Sequence, residues 1–113
     1  MITIYHNPRC EKSRACLAYL EKSNRSFEIV KYLDNPITWE ELTEIISKLK
    51  IPVIELVRTK EKIWIEQYKG KQLTEADVLT AILENPILME RPVVVYNNKA
   101  IIARPLSLIE SLF

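Results

Sequence analysis

The sequence has a single glycine among its 113 residues. Phosphate-binding loops of the Walker and dinucleotide types need several closely spaced glycines, so the chain contains neither motif. No apolar run approaches the roughly 20 residues of a membrane span. The first residues also lack the basic start and the long apolar stretch of a signal peptide. These absences predict a cytoplasmic protein that does not associate with membranes.

An excess of one charge is missing as well. Sixteen Lys and Arg residues face fifteen Asp and Glu residues, which leaves a net charge of +1. This balance lacks the basic footprint of a nucleic-acid-binding module, so we expect no nucleic-acid partner. The two cysteines are too few for a disulfide framework and fit a reducing compartment. Length, 48% apolar residues and 27% charged residues predict one globular domain spanning residues 1–113.

Apolar spacing and turn residues give the chain an α/β order of elements. We expect strands at Ile2–Tyr5, Phe27–Tyr32, Val93–Tyr96 and Ala100–Ala103. We expect helices from Glu11 to about Ser23, Thr38 to Leu49, Pro52 to about Arg58, Thr74 to Leu83 and Pro105 to Leu112. A right-handed crossover pairs the first two strands in parallel, and the Asn97-Asn98-Lys99 turn predicts an antiparallel hairpin. The result is a four-stranded mixed sheet (β-α-β … β-β-α) with a helical insertion at about residues 38–85.

Cys10 lies just after the first strand and at the start of the first helix. The free backbone N–H groups and the dipole at a helix N-terminus stabilise a thiolate. Four neighbouring side chains can add positive charge, namely His6, Arg9, Lys12 and Arg14. Because the thiolate is the nucleophilic form, this position predicts a reactive cysteine. The alternative is that Cys10 is only a small apolar cap of the helix.

Cys16 has a different environment in the sequence, because it falls in the apolar stripe of the first helix with Leu20. Six residues of ideal helix rise about 9 Å, which puts the two cysteine Cα atoms roughly 10 Å apart. That separation exceeds the limit of about 7 Å for a disulfide. We therefore interpret Cys16 as a core residue.

The loop around Cys10 departs from three other kinds of cysteine site. A cysteine phosphatase loop has Cys-x5-Arg, whereas Arg14 follows Cys10 after three residues. A dithiol redox motif has Cys-x-x-Cys, whereas Ser13 stands at the second position, so a redox cycle would need an outside thiol. His6, Cys10 and Cys16 give three zinc ligands where structural sites use four, and we expect no metal. His6 is then either a structural hydrogen-bonding residue or a switchable charge beside Cys10.

The predicted hairpin brings two arginines together. If Asn97-Asn98 is a two-residue turn, the register places Arg91 opposite Arg104. Facing like charges are destabilising unless an anion lies between them, and guanidinium groups bind oxyanions bidentately. The alternative is that Glu90 or another carboxylate neutralises the pair. Arg58 ends a helical segment, and the residues alone favour a solvated helix end there.

Taken together and in order, five segments resemble the glutaredoxin-linked arsenate reductase family. They are residues 2–14 (ITIYHNPRCEKSR), 32–36 (YLDNP), 56–58 (LVR), 85–95 (NPILMERPVVV) and 103–105 (ARP). The resemblance implies a thioredoxin-like fold with a helical insertion. The sequence departs from the family around the cysteine, where Arg9, Glu11 and Lys12 replace the small residues of many members.

The resemblance also implies an activity and a site. Cys10 would attack arsenate, and Arg58, Arg91 and Arg104 would hold the oxyanion. His6 and Ser13 would support the thiolate, with Arg14 as a nearby cation. A cis peptide bond would precede Pro92. Glutathione would be the co-substrate, glutaredoxin the protein partner and arsenite the product, with no tightly bound cofactor.

Two other functions fit the same fold. One is an Spx-type regulator that binds RNA polymerase without catalysis, although such proteins carry the Cys-x-x-Cys switch that Ser13 interrupts here. The other is a related thiol oxidoreductase that uses Cys10 on another substrate, because a shared fold does not fix the activity.

Overall fold

The computed structural model describes all 113 residues, in four strands, four α-helices and three 3-10 helices. The strands are β1 (Ile2–Tyr5), β2 (Phe27–Val30), β3 (Val93–Tyr96) and β4 (Lys99–Ile102). The α-helices are α1 (Glu11–Lys22), α2 (Trp39–Leu49), α3 (Lys62–Gln67) and α4 (Glu75–Glu84), and the 3-10 helices span Val53–Leu56, Pro86–Leu88 and Leu106–Leu112. The chain divides into two compact units, the first comprising Met1–Asn35 with Arg91–Phe113 and the second Pro36–Glu90.

The first unit contains the sheet, whose strand order is β2-β1-β3-β4. β1 pairs in parallel with β2, whereas β3 is antiparallel to both β1 and β4. This is the thioredoxin-like mixed sheet that the sequence predicted. The hairpin register is also as predicted, from Tyr96 opposite Lys99 to Val93 opposite Ile102. Asn97 has a φ of 54°, the left-handed conformation that a two-residue hairpin turn requires.

One apolar core packs α1 and the closing 3-10 helix against the sheet. Its fully or nearly fully buried members are Ile2, Ile4, Cys16, Leu20, Val94, Ala103, Ile109 and Leu112. Cys16 is completely inaccessible to solvent, and burial raises the pKa of its thiol to about 11. Both cysteines are free thiols, as their predicted separation required.

We expect Cys16→Ser to destabilise the protein by about 1–3 kcal/mol near neutral pH, because it buries a hydroxyl in an apolar core. The loss should shrink between pH 9 and 11. In that range the unfolded wild-type thiol ionises while the folded one stays protonated, so the wild-type protein loses stability as the pH rises. Urea unfolding of both proteins at pH 7 and pH 10 measures this difference. A destabilisation that is larger at pH 10 would contradict the burial of this thiol.

The second unit is helical and corresponds to the predicted insertion, although it covers residues 36–90 rather than 38–85. α2 and α4 both begin with a capping box, in which the side chain of the N-cap threonine accepts a backbone N–H three residues later. These bonds are 3.1 Å long at both Thr38 and Thr74. The two helices contact each other through their buried apolar faces.

Four predicted elements need correction. β2 ends at Val30 rather than Tyr32, because the chain turns there with the N–H of Asp34 bonded to the carbonyl of Lys31. The segment after Pro52 is a single 3-10 turn that ends at Leu56. The closing segment is a 3-10 helix that starts after Pro105 rather than on it. β4 spans Lys99–Ile102 rather than Ala100–Ala103. In addition, the six-residue helix α3 was not predicted.

None of the helices has the length and apolar character that crossing a membrane demands.

Candidate active site

Cys10 occupies the N-cap position of α1, as predicted from its place after β1. Its backbone is extended, with φ −96° and ψ 122°, and its side chain does not cap the helix. The preceding turn is closed by a 3.0 Å hydrogen bond from the Cys10 N–H to the carbonyl of Asn7. Only 8% of the residue is exposed, so Cys10 is nearly buried, and its thiol makes no capping hydrogen bond.

Opposing effects act on the Cys10 thiol. Burial raises its pKa. A hydrogen bond from the Arg91 side chain, the charge of Arg91 and hydrogen bonds from the backbone N–H groups of Ser13 and Lys12 lower the pKa, and together they outweigh the effect of burial. The net result is a pKa below the ordinary value of 9.0. Arg91 contributes most to this lowering, and the backbone N–H groups at the start of α1 add to it, as the sequence indicated for a helix N-terminus.

The cation that acts on this thiolate is Arg91 rather than the neighbours in sequence. Arg14 was expected to support the thiolate, but its guanidinium donates a 3.0 Å hydrogen bond to the carbonyl of Pro8. Its charge acts on His6 instead, where it helps to lower the pKa. Arg14 therefore helps to hold the loop that carries Cys10 in place.

His6 and Ser13 form a buried pair, with 2.6 Å between His6 Nδ1 and Ser13 Oγ. Burial, followed by the charges of Lys31 and Arg14, lowers the pKa of His6 below 6.5, so the ring is neutral at pH 7. Of the two alternatives that the sequence left open for His6, these observations favour the hydrogen-bonding residue over the switchable charge. His6 holds Ser13, whose backbone N–H is directed at the Cys10 sulfur.

Asn7 is a structural residue of this loop that the sequence reasoning treated only as a strand breaker. Its backbone N–H donates to Ser13 Oγ at 3.0 Å, and its Oδ1 accepts the N–H of Arg9, also at 3.0 Å. An asparagine that bonds the backbone two residues on is the usual signature of an Asx turn, so the Asn-Pro dipeptide carried this signal.

Arg91 and Arg104 are brought together by the hairpin, as the register predicted. The N–H of Ala103 donates to the carbonyl of Pro92 at 3.0 Å, and Arg104 Nη1 donates to the carbonyl of Arg91 at 3.3 Å. The Arg91–Pro92 and Arg104–Pro105 peptides are both cis; the first was predicted and the second was not.

The Arg91 side chain carries the most informative feature of the site. Its Nε and Nη1 atoms are buried and make no hydrogen bond. Buried polar groups are nearly always paired, because each unmet hydrogen bond costs roughly 1–3 kcal/mol. No carboxylate pairs with Arg91 or Arg104, so the alternative in which Glu90 neutralises them is wrong.

Arg58 lies in the second unit, where it pairs with Glu61 and Glu90. Its Nε is 3.4 Å from Glu61 Oε2, and its Nη1 is 3.5 Å from Glu90 Oε1. The backbone is fixed by a 2.7 Å bond from the Arg58 N–H to the carbonyl of Leu88. The residues alone predicted that Arg58 lies at a solvated helix end. The preceding 3-10 helix ends at Leu56, and the Arg58 side chain is partly buried in its two ion pairs, so that prediction is wrong. The assignment of Arg58 to an oxyanion stays a prediction.

The fold and the site define a class of protein: a thioredoxin-like domain with a cysteine of lowered pKa at a helix start and an arginine with unpaired donors beside it. The sequence profile of the ArsC family matches residues 5–112. The chain belongs to the ArsC family.

Two relatives show how close this similarity is. An arsenate reductase of Neisseria meningitidis serogroup A is 42% identical over 112 residues, which cover 97% of this chain and 96% of that protein. An arsenate reductase of Haemophilus influenzae is 39% identical over 106 residues, which cover 92% of this chain and 91% of that protein.

A solved structure supports the fold. The arsenate reductase from Vibrio cholerae superposes with a TM-score of 0.95 at 36% sequence identity. The superposition covers 99% of this chain and 97% of the other.

Proposed function

We propose that this protein reduces arsenate to arsenite, with Cys10 as the nucleophile, glutathione as the co-substrate and glutaredoxin as the recycling partner. The observation that carries the proposal is the pair of buried, unpartnered Arg91 nitrogens next to a thiol of lowered pKa. Guanidinium donors that lack a partner match a planar or tetrahedral oxyanion, and an ionised sulfur beside them is placed for attack on its central atom.

In the first step the Cys10 thiolate attacks As(V), and one arsenate oxygen leaves as water after taking up a proton from solvent. A sulfur–arsenic bond forms and an arsenic–oxygen bond breaks, with no change of oxidation state. Arg91 offsets the negative charge of the oxyanion during this displacement. The resemblance adds Arg58 and Arg104 to the same task.

In the second step a glutathione thiolate attacks the Cys10 sulfur of the adduct. The electron pair of the sulfur–arsenic bond goes to arsenic, which is reduced to As(III) and leaves as arsenite. Cys10 and glutathione are left as a mixed disulfide. A glutaredoxin thiolate then takes the glutathionyl sulfur and releases the Cys10 thiolate. Since Ser13 replaces a second cysteine and Cys16 is buried, this chain has no resolving thiol of its own at hand.

A coupled assay tests the proposal. Arsenate, glutathione, glutaredoxin, glutathione reductase and NADPH are combined with the protein, and arsenite and NADPH are both measured. We expect NADPH consumption that requires every component and yields one arsenite per NADPH.

Two results would overturn it. Absence of arsenate-dependent NADPH consumption, in a mixture where the Neisseria meningitidis relative is active, would favour a thiol oxidoreductase with another substrate. Specific retention of RNA polymerase by the inactive protein would favour the Spx-type reading.

A further inference from the structure

A surface cavity of about 350 Å³ lies in the first unit, next to the loop that carries Cys10. It is lined by Asn7, Pro8, Arg9, Lys31, Leu33 and Asp34. Its volume falls at the low end of the range for small-molecule sites, roughly 300–1,000 Å³. The cavity is therefore suited to a small organic molecule rather than to a macromolecular segment.

The lining carries a distinctive set of charges: two cations, Arg9 and Lys31, and one carboxylate, Asp34. None of the three takes part in an ion pair, and all three are exposed. A bare oxyanion would meet the two cations favourably but would be repelled by the carboxylate. The set instead complements a molecule with two carboxylates and one ammonium group.

The same turn forms the wall of the cavity and positions the thiol. Asn7, Pro8 and Arg9 line the cavity, and the N–H of the next residue, Cys10, is bonded to the carbonyl of Asn7. Lys31 also lines the cavity, and its positive charge helps to lower the pKa of His6, the residue before Asn7. A ligand in the cavity is therefore within a short reach of the Cys10 loop.

We propose that this cavity binds the peptide thiol that reduces the Cys10 adduct, a small peptide of the glutathione class with two carboxylates and one ammonium. Arg9 and Lys31 bind the carboxylates, Asp34 binds the ammonium, and Leu33 contacts the peptide stem. This proposal rests on the proposed function, of which it names the reductant site. It also gives a role to Arg9, one of the residues at which the sequence departs from the family.

A reaction without arsenate tests the site directly. Oxidised glutathione reacts with the Cys10 thiolate, which attacks one sulfur, forms a mixed disulfide and releases one glutathione thiolate. The rate is compared with that of 2-hydroxyethyl disulfide, which has no charge, and mass spectrometry locates the adduct on Cys10. We expect Arg9→Ala and Lys31→Ala each to slow the glutathione reaction about two- to fivefold, and the double variant more, with the neutral disulfide unaffected.

Two controls sharpen the comparison. Lys22→Ala removes an exposed cation at the far end of α1 and should leave both rates unchanged. Asp34→Asn should slow the reaction of glutathione disulfide but not that of its N-acetylated form, because only the first presents an ammonium.

The outcomes separate this proposal from the proposed function. Equal slowing of the charged and neutral disulfides would mean that the substitutions distort the Cys10 loop, and it would overturn the site. Unchanged rates with glutathione would overturn it as well. Charge-selective slowing in a protein that fails the arsenate assay would support the peptide-thiol site while contradicting arsenate reduction.

Discussion

Replacing Cys10 by serine is expected to abolish arsenate reduction, with a loss of at least about 10³-fold in turnover, and to leave the fold intact. The hydroxyl is a poor nucleophile near neutral pH, so the sulfur–arsenic adduct does not form. The fold should survive because serine is a preferred N-cap residue, and the cysteine it replaces makes no capping bond. Turnover in the coupled assay and the circular dichroism spectrum measure the two effects.

The matched control is Cys16→Ser, which changes the other thiol in the same way. Cys16 is inaccessible to solvent, so this variant should keep most of its turnover while losing stability. The contrary result would be a Cys16→Ser protein that accumulates an arsenate or glutathione adduct on Cys10. Cys16 would then be a resolving thiol, and the dependence on glutaredoxin would lose its basis.

Alkylation reports the same asymmetry before any turnover. Iodoacetamide reacts with thiolates, so the rate at each cysteine falls as the pH drops below its pKa. Cys10 should react first and with a midpoint below 9.0, whereas Cys16 should stay unmodified until the pH approaches 11 or the protein unfolds. A Cys10 midpoint at or above 9.0 would show that burial outweighs the hydrogen bonds to its sulfur.

Much of the fold could be predicted because local signals and tertiary structure agree. The capping boxes at Thr38 and Thr74 mark the starts of α2 and α4, and each helix then buries the face that its apolar spacing defines. The Asn97-Asn98 turn fixes the β3–β4 register, because a two-residue hairpin allows only one pairing. The position of Arg104 beside Arg91 follows from that register alone.

The missed elements lack such signals. α3 has six residues, no capping side chain and a single buried residue, Trp64, so its sequence shows no apolar period. The closing segment has helical spacing, but spacing does not distinguish a 3-10 helix from an α-helix over seven residues. β2 stops early because the turn at Lys31 takes over its backbone hydrogen bonds.

The electrostatics of the site were harder to predict than its residues. Sequence proximity suggested that Arg9, Lys12 and Arg14 act on Cys10, whereas the acting cation is Arg91, more than 80 positions away along the chain. The sequence left His6 as either a hydrogen-bonding residue or a switchable charge, and only the fold shows that burial and the charges of Lys31 and Arg14 lower its pKa. Distances across the fold determine these effects, and a single sequence does not contain them.

Arg91→Lys is expected to weaken arsenate or sulfate binding about 10- to 100-fold. Lysine keeps the charge but replaces a planar fork with a single ammonium, and a hydrogen bond to a charged group is worth about 1.5–3 kcal/mol. The pKa of Cys10 should rise in the same variant, because the Arg91 hydrogen bond is the largest effect that lowers it. Calorimetric titration with sulfate and the pH dependence of alkylation measure the two changes.

Two other arginines serve as comparisons. Arg104→Lys should also weaken oxyanion binding but leave the Cys10 pKa where it is, since Arg104 bonds the Arg91 carbonyl and not the sulfur. Arg25→Lys should change neither quantity, because Arg25 stacks on the Phe113 ring at the other end of the first unit's sheet. Unchanged anion affinity in both Arg91→Lys and Arg104→Lys would remove the oxyanion site.

In the absence of an anion, the unpaired nitrogens of Arg91 should lower the stability of the wild-type protein. Without an anion, the buried Arg91 Nε and Nη1 atoms lack hydrogen bonds, so Arg91→Met should unfold at no lower temperature than the wild type when both are measured below the pKa of Cys10. Saturating arsenate should raise the melting temperature of the wild type only, because a ligand stabilises the state that binds it. The order of the two melting temperatures then reverses on adding anion. A variant that melts well below the wild type in the absence of anion would make Arg91 a structural residue, whose unpaired nitrogens are not kept for a substrate.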